Sequence, residues 1–141
     1  SLDLKSRGQL RGARPVRTAP YPGFPTDAQA VLMAALAGGT GTTMFVENMF
    51  DNRYRHVDEL ARMGADIQLA GRVAVVTGRP LHGAQVRSTD LRGGAALVVA
   101  ALAAEGVSQV SGLEHIRRGY EGLEAQLSAL GGKIQLHTEE T

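Results

Sequence analysis

The sequence predicts a layered α/β fold that is built from two copies of one motif. In each copy an apolar helix closed by glycine precedes a strand, and a second helix follows the strand. Sixty-five positions separate Gly41 from Gly106, and the same distance separates Arg53 from Arg118. Strands that alternate with helices are typical of α/β or layered α+β domains. The predicted division is a basic segment at 1–20, a first repeat at 21–80 and a second repeat at 81–141.

The opening segment carries one acid, Asp3, against five cations, which are Lys5, Arg7, Arg11, Arg14 and Arg17. It has no clear apolar period and begins with Ser1. Chain ends are usually mobile or lie at the edge of a fold, and we expect the same of this segment. The alternative is a surface for a partner domain.

The first repeat contains the clearest local signals. Thr26 is a predicted N-cap, and the helix over 27–37 is apolar on nearly every side, which indicates burial. A strand is expected from Gly41, and an amphipathic helix over 57–63 ends at Gly64 as a left-handed cap. The stretch 66–69 is expected to pair with Val73–Thr77 through a turn at 70–72.

The second repeat starts with the same Thr-Asp pair, at Thr89 and Asp90, 63 positions after the first pair. Thr89 is again the predicted N-cap, and an apolar helix follows. The expected strand runs from Gly106 through GVSQVSGLEHI, and the helix after it carries an apolar stripe at every third or fourth residue. The stripe comprises Leu123, Leu127 and Leu130. A last strand is expected over 134–136, since Ile-Gln-Leu also occurs over 67–69.

Composition excludes several classes of protein. The 141 residues suffice for one ordinary domain, and a net charge of +1 argues against a nucleic-acid binder. The chain has no Cys, and no apolar run reaches the roughly 18 residues of a membrane span. Without a signal peptide, the expected compartment is the cytoplasm. We predict neither metal nor cofactor, because the four histidines lack ligand spacing and the glycine-rich stretches lack the P-loop ending. These histidines are His56, His82, His115 and His137.

Four blocks of sequence are similar to UDP-N-acetylglucosamine enolpyruvyl transferases, in the order and at the spacing of that family. The resemblance covers about 17–136, and the motifs of the related shikimate-pathway family are not found. The blocks are PYPGFPTDAQA at 20–30, ENMFDNRYRHVDELARMGA at 47–65, STDLRGGAALV at 88–98 and HIRRGYEGLEAQLSALGG at 115–132.

The resemblance implies an enolpyruvyl transferase-like inside-out α/β barrel, with helices inside and sheets outside. That fold has two lobes of three βαβαββ repeats, of which this chain would hold two repeats in the C-terminal portion. The implied reaction moves enolpyruvyl from phosphoenolpyruvate to the 3-hydroxyl of UDP-N-acetylglucosamine and releases phosphate. It is the first committed step of bacterial peptidoglycan synthesis.

The resemblance also gives two aspartates catalytic roles. Asp27 matches the family Asp that contacts the 3-hydroxyl and is proposed as its general base, and a placed carboxylate can accept that proton. Asp90 matches a family Asp near the reacting carbon, for which a role in proton transfer is proposed. Because Asp is common at helix starts, capping is the alternative for both residues.

Three arginines stand at or just before predicted helix starts, where cations are mildly disfavoured but anions bind readily. Arg118 matches the catalytic family Arg that holds phosphoenolpyruvate, and Arg92 matches another Arg of that pocket. Arg53 matches an Arg near the sugar nucleotide. Three solvated surface arginines are the alternative.

Two residues match positions near the sugar nucleotide. Met49 falls where the family makes a main-chain contact, and Phe50 is expected to pack near the sugar, with core packing as the alternative for both. Arg117 departs from the family pattern, in which an acid often precedes the matching Arg.

Other family residues are missing from this chain, namely a Cys (sometimes Asp) on a mobile loop and a Lys-Asn pair. The resemblance therefore implies that the missing N-terminal lobe completes the site, and that the chain alone is inactive. Two repeats of a three-repeat lobe would also expose apolar surface that favours self-association. The alternative function is a non-catalytic module of this fold that binds an anion or a partner.

Overall fold

The computed structural model describes residues 10–12, 14–50, 53–117, 119–120 and 122–135. Helices and strands alternate along most of the described chain, as the sequence predicts. In chain order the elements are β1 (Val16–Arg17), α1 (Thr26–Ala37), β2 (Thr42–Val46), α2 (Val57–Arg62), β3 (Asp66–Ala70), β4 (Val73–Thr77), β5 (Gln85–Arg87), α3 (Leu91–Ala103), β6 (Gln109–Ser111), α4 (Leu113–Arg117) and α5 (Leu123–Ala129).

The first sheet has four strands in the order β1-β2-β4-β3. Strand β1 lies at one edge, parallel to β2, with Val16 opposite Phe45. The other pairings are antiparallel, and β3 and β4 form the predicted hairpin. Gly71 adopts φ +59° in the connection, a left-handed conformation that glycine adopts without steric cost.

The second sheet consists of β5 and β6, which are parallel. Two backbone hydrogen bonds show that the second unit repeats an arrangement of the first. The N–H of Gly12 donates to Thr40 O at 2.6 Å, and the N–H of Gly83 donates to Glu105 O at 2.7 Å. The stretches 10–12 and 14–18 thus contact the first unit as 81–88 contacts the second. The repeat boundaries at 20/21 and 80/81 stay predictions.

The two long helices, α1 and α3, pack against each other and form the middle of the molecule. Helix α1 contributes to both apolar clusters, one shared with the first sheet and one shared with α3, α2 and β5. Met33, Ala34 and Ala37 of α1 are 0% exposed, so the predicted burial of this helix is confirmed. The many alanines of both helices allow their backbones to approach closely.

Two predictions for the end of the chain are wrong. The strand expected through 106–116 stops at Ser111, because Gly112 adopts φ +77° and a short helix, α4, begins at Leu113. No strand forms at 134–135, and Leu136 lies outside the described residues. Helix α5 forms where a helix was expected but buries none of its residues.

The predicted N-caps, Thr26 and Thr89, are also wrong. Helix α1 has Pro25 at the N-cap position without a side-chain cap, and Thr26 is its first helical residue. Helix α3 has Asp90 as its N-cap, one residue after Thr89. Relative to the Thr-Asp pattern, α1 therefore starts one residue earlier than predicted and α3 one residue later. Counted from the first helical residue, Asp27 corresponds to Arg92, not to Asp90.

Candidate active site

The starts of α1 and α3 bring three of the predicted site residues together. The Asp27 carboxylate lies 3.8 Å from Arg53 Nη1 and 3.5 Å from Arg92 Nη2. Asp27 and Arg92 are each the second residue of their helices, and Arg53 lies in the turn before α2. The two repeats therefore carry an acidic residue, Asp27, and a basic residue, Arg92, at matching positions of α1 and α3. The packing of these helices makes the two residues neighbours.

This cluster is open to solvent and carries excess positive charge. The side chains of Asp27, Arg53 and Arg92 are 56%, 29% and 34% exposed. Ion pairs this exposed contribute only about 0–1 kcal/mol to stability. Two guanidinium groups against one carboxylate leave room for an anionic ligand, which Arg binds in a forked geometry. The carboxylate can accept a proton from a hydroxyl placed beside it.

An aromatic ring borders the cluster on the side of Arg53. The guanidinium carbon of Arg53 lies 4.7 Å from the centroid of the Phe50 ring, a cation–π distance. Phe50 is 52% exposed and Met49 is 37% exposed, so the core-packing alternative for these two residues is wrong. Phe50 is therefore available to a ligand at the cluster, and Met49, the residue before it, is open to solvent.

Arg92 is held from a second direction by Tyr120, which sequence reasoning missed. Nη1 of Arg92 donates to the Tyr120 hydroxyl at 3.3 Å. The tyrosine lies between α4 and α5, and nothing in its sequence context marks it as a partner of Arg92. Arg118 lies outside the described residues, so its predicted role stays a prediction.

Asp90 occupies the N-cap of α3, as its capping alternative predicts. The N–H of Gly93 donates to Asp90 Oδ2 at 3.1 Å, and the Thr89 hydroxyl lies 3.4 Å from Oδ1. Its predicted part in proton transfer stays a prediction.

His56 lies beneath the start of α3 and is 3% exposed. A side chain at Gly93 would lie about 3.1 Å from its Cβ. Within the described chain its Nε2 has no hydrogen-bond partner. Burial lowers the pKa of His56 to about 4, although the Asp90 charge acts in the opposite direction. His56 is therefore a neutral imidazole at neutral pH.

Glu47 is a second residue that sequence reasoning missed. It follows β2, is 2% exposed, and accepts hydrogen bonds from two hydroxyls and two backbone amides. Burial by itself raises the pKa of this carboxyl, but the four hydrogen bonds outweigh it and hold the pKa below its usual value. The alternation of β2 offered a signal, since Thr43, Phe45 and Glu47 share one face and an acid on an inward face needs partners.

Two further observations concern metals and membranes. Within the described ranges, no group of three or more His, Asp or Glu side chains is arranged to hold a metal ion. None of the helices in those ranges combines the length and the apolar character that crossing a bilayer requires.

A family model described as EPSP synthase (3-phosphoshikimate 1-carboxyvinyltransferase) matches residues 6–127. The crystal structure of the enolpyruvyl transferase NikO from Streptomyces tendae superposes with a TM-score of 0.75 at 31% identity, covering 90% of this chain and 29% of that one. The predicted fold class is thereby confirmed.

Curated relatives are more similar in sequence. The chain is 59% identical over 135 residues to UDP-N-acetylglucosamine 1-carboxyvinyltransferase from Zymomonas mobilis subsp. mobilis, covering 95% of this chain and 32% of the relative. It is 51% identical over 125 residues to UDP-N-acetylglucosamine 1-carboxyvinyltransferase 3 from Symbiobacterium thermophilum, covering 88% and 30%. The chain thus spans about a third of the length of these relatives.

Proposed function

This chain belongs to the enolpyruvyl transferase family described as EPSP synthase (3-phosphoshikimate 1-carboxyvinyltransferase), and we propose that it is the C-terminal part of a UDP-N-acetylglucosamine 1-carboxyvinyltransferase. The proposed reaction transfers enolpyruvyl from phosphoenolpyruvate to the 3-hydroxyl of UDP-N-acetylglucosamine and releases phosphate. The names of the curated relatives support the sugar nucleotide over 3-phosphoshikimate as the acceptor. We propose that this reaction is the first committed step of peptidoglycan synthesis and that the enzyme acts in the bacterial cytoplasm, with its phosphorylated substrates.

The observation that carries the proposal is the position of Asp27 between Arg53 and Arg92. The attacking 3-hydroxyl must lose a proton, and Asp27 is the proposed general base. Arg92 is the proposed ligand of the phosphoenolpyruvate anion, and Arg53 binds on the side of the sugar nucleotide. A substrate anion that pairs with the arginines would release the carboxylate from them and leave it free for the hydroxyl.

The other predicted residues complete the proposed site. Arg118 is the proposed second ligand of phosphoenolpyruvate, and Asp90 is proposed to act in proton transfer near the reacting carbon. The backbone of Met49 contacts the sugar nucleotide, and Phe50 packs near the sugar. The exposed positions of Met49 and Phe50 support these last two roles.

We propose that the remainder of the enzyme supplies the other half of the site, so that the chain alone has no turnover. Exposed apolar side chains support a covered face in the longer protein, since Val107 is 86% and Leu130 is 84% exposed. In the isolated chain such residues favour self-association.

A hybrid enzyme tests the proposal. Residues 17–135 of this chain would replace the matching stretch of the 59% identical relative from Zymomonas mobilis. Phosphate release would be measured with phosphoenolpyruvate and either UDP-N-acetylglucosamine or 3-phosphoshikimate, with the unmodified relative as the control. We expect turnover with the sugar nucleotide only.

Two results would count against the proposal. A folded hybrid that releases phosphate with 3-phosphoshikimate would assign a different acceptor. A folded hybrid that binds phosphoenolpyruvate but releases no phosphate with either acceptor would favour the non-catalytic anion-binding module.

A further inference from the structure

A single buried carboxylate joins three segments of the first unit. Oε1 of Glu47 accepts from the Thr26 hydroxyl at 2.7 Å. Oε2 accepts from the Thr18 hydroxyl at 2.9 Å, from the N–H of Met49 at 2.9 Å and from the N–H of Phe50 at 3.3 Å. The donors come from the residue that follows β1, from the first residue of α1 and from the backbone that follows β2.

Two of these segments lead directly to residues of the proposed site. Thr26 precedes Asp27, and the Phe50 ring lies under Arg53. The Thr18 hydroxyl also accepts from the N–H of Asn48 at 2.7 Å, so the backbone over 48–50 is bound to Glu47 both directly and through Thr18. The conformation of this backbone therefore depends on one side chain.

The cost of burying a carboxylate makes the backbone over 48–50 depend strongly on Glu47. A buried carboxylate is costly unless its oxygen atoms are hydrogen-bonded, and hydrogen bonds to a charged group are the stronger kind. The segments that supply the four donors are held by the same interactions that keep Glu47 ionised. Removal of the carboxylate leaves the amides of Met49 and Phe50 without the acceptor that now fixes their direction.

We infer that Glu47 is a positioning residue, which orients the Met49–Phe50 backbone toward the sugar nucleotide and fixes the start of α1 beside it. This inference rests on the proposed function, because the proposal assigns the sugar nucleotide to Met49 and Phe50. Glu47 itself is buried, and its proposed role involves no contact with substrate.

The hydrogen bonds of Glu47 predict different effects for two substitutions of this residue. Gln retains one acceptor oxygen for the amides of Met49 and Phe50, and its NH₂ group can donate to the Thr26 hydroxyl, which then acts as the acceptor. Ala removes every acceptor. Glu47→Gln should therefore preserve the geometry that Glu47→Ala abolishes.

The first measurement is steady-state kinetics of the hybrid enzyme. For Glu47→Ala we expect the KM for UDP-N-acetylglucosamine to rise about tenfold or more, since hydrogen bonds to a charged group are lost. The KM for phosphoenolpyruvate should change by less than about twofold, and Glu47→Gln should stay within about threefold of the unmodified hybrid. The control is Val76→Ala, which opens a cavity at the far end of the first sheet. It lowers the free energy of unfolding without removing a hydrogen bond to Glu47.

The second measurement does not depend on activity. The amide proton signals of Met49 and Phe50 would be recorded on the 141-residue chain labelled at Met and Phe, which contains four Met and three Phe residues. Amides that donate to a carboxylate resonate downfield, so both signals should move upfield in Glu47→Ala, less far in Glu47→Gln, which keeps a neutral acceptor oxygen, and not in Val76→Ala.

The outcomes distinguish this inference from the proposed function. If the unmodified hybrid is inactive, the proposed function fails, and the amide signals alone decide whether Glu47 positions the backbone. The inference is overturned if Glu47→Ala leaves both signals in place. It is equally overturned if this variant lowers stability, as Val76→Ala does, without a selective rise in the KM for the sugar nucleotide.

Discussion

The starts of α1 and α3 occupy matching positions in the two repeats, yet they differ in almost every polar contact. Helix α1 begins without a side-chain cap, and its Asp27 faces two arginines in solvent. Helix α3 begins with Asp90, whose carboxylate accepts from the N–H of Gly93. One acid is left available for chemistry, whereas the other satisfies the backbone of its own helix.

The same contrast extends to the groups behind each helix start. Behind α1 lies Glu47, a buried anion that is satisfied by four donors. Behind α3 lies His56, a buried neutral ring whose Nε2 has no partner in the described chain. The two helix starts thus share their backbone arrangement and their packing, while the polar groups that lie behind them differ.

The contrast between the two helix starts depends most on Asp27 being the functional acid. In the hybrid enzyme, Asp27→Asn should lower kcat by about 10²–10⁴-fold, which is the usual contribution of a general base. Its effect on the free energy of unfolding should stay within about 0.5 kcal/mol, because the side chain is 56% exposed and makes no cap. Phosphate release and urea unfolding are the measurements.

Asp58→Asn is the matched control, since Asp58 is an exposed acid in the first turn of α2. It should leave kcat unchanged. If Asp27→Asn keeps kcat and only raises KM, Asp27 binds substrate without moving a proton, and the difference between the two helix starts loses its catalytic meaning.

The buried His56 behind the start of α3 makes the free energy of unfolding depend on pH. The pKa of His56 is about 4 in the folded chain, against 6.5 for a free side chain. As pH falls below 6.5, the unfolded chain therefore takes up the proton first, and the free energy of unfolding decreases. The expected loss from this residue is about 2 kcal/mol between pH 7.5 and pH 5, and about 3 kcal/mol by pH 4.

The measurement is urea unfolding of the 141-residue chain and of His56→Phe at several pH values. Phe keeps a ring of similar size and removes the titrating nitrogen atoms, and His56→Gln serves if Phe does not pack. Other groups, Glu47 among them, titrate in both chains, so the difference between the two pH curves isolates His56. Parallel curves for the variants and the unmodified chain would mean that His56 is not held neutral.

The course of the chain was largely predictable, because local signals dominate it. The apolar run of α1, the β3–β4 hairpin and the left-handed Gly64 all follow from periodicity and turn chemistry. The failures lie where a tertiary contact overrides the local pattern. Gly112 turns the chain away from the strand that its neighbours favour, and α5 has the expected stripe but nothing to bury it against.

The candidate site was only half predictable for a related reason. The residues that are proposed to contact ligand, such as Asp27 and Arg92, were found through resemblance. Glu47 and Tyr120, which hold other residues in place, accept side-chain hydrogen bonds across 21 to 29 positions of sequence, so no local pattern reveals these partners. The equivalence of Asp27 and Asp90 was misjudged because the Thr-Asp letters repeat although the helix starts differ by two positions.

The smallest expected effect concerns the cap of α3. At pH 7.5, Asp90→Ala should lower the free energy of unfolding by about 1 kcal/mol, because the N–H of Gly93 loses its acceptor, and Asp90→Ser should recover most of that loss. Asp27→Ala should cost less than about half as much, since α1 has no side-chain cap to lose. Asp90→Ser also keeps a capping oxygen while it removes the carboxylate, so its kcat in the hybrid isolates the predicted part in proton transfer. A large drop in kcat with normal stability would give both acids a chemical role, whereas equal costs for Asp27→Ala and Asp90→Ala would remove the structural contrast between the two helix starts.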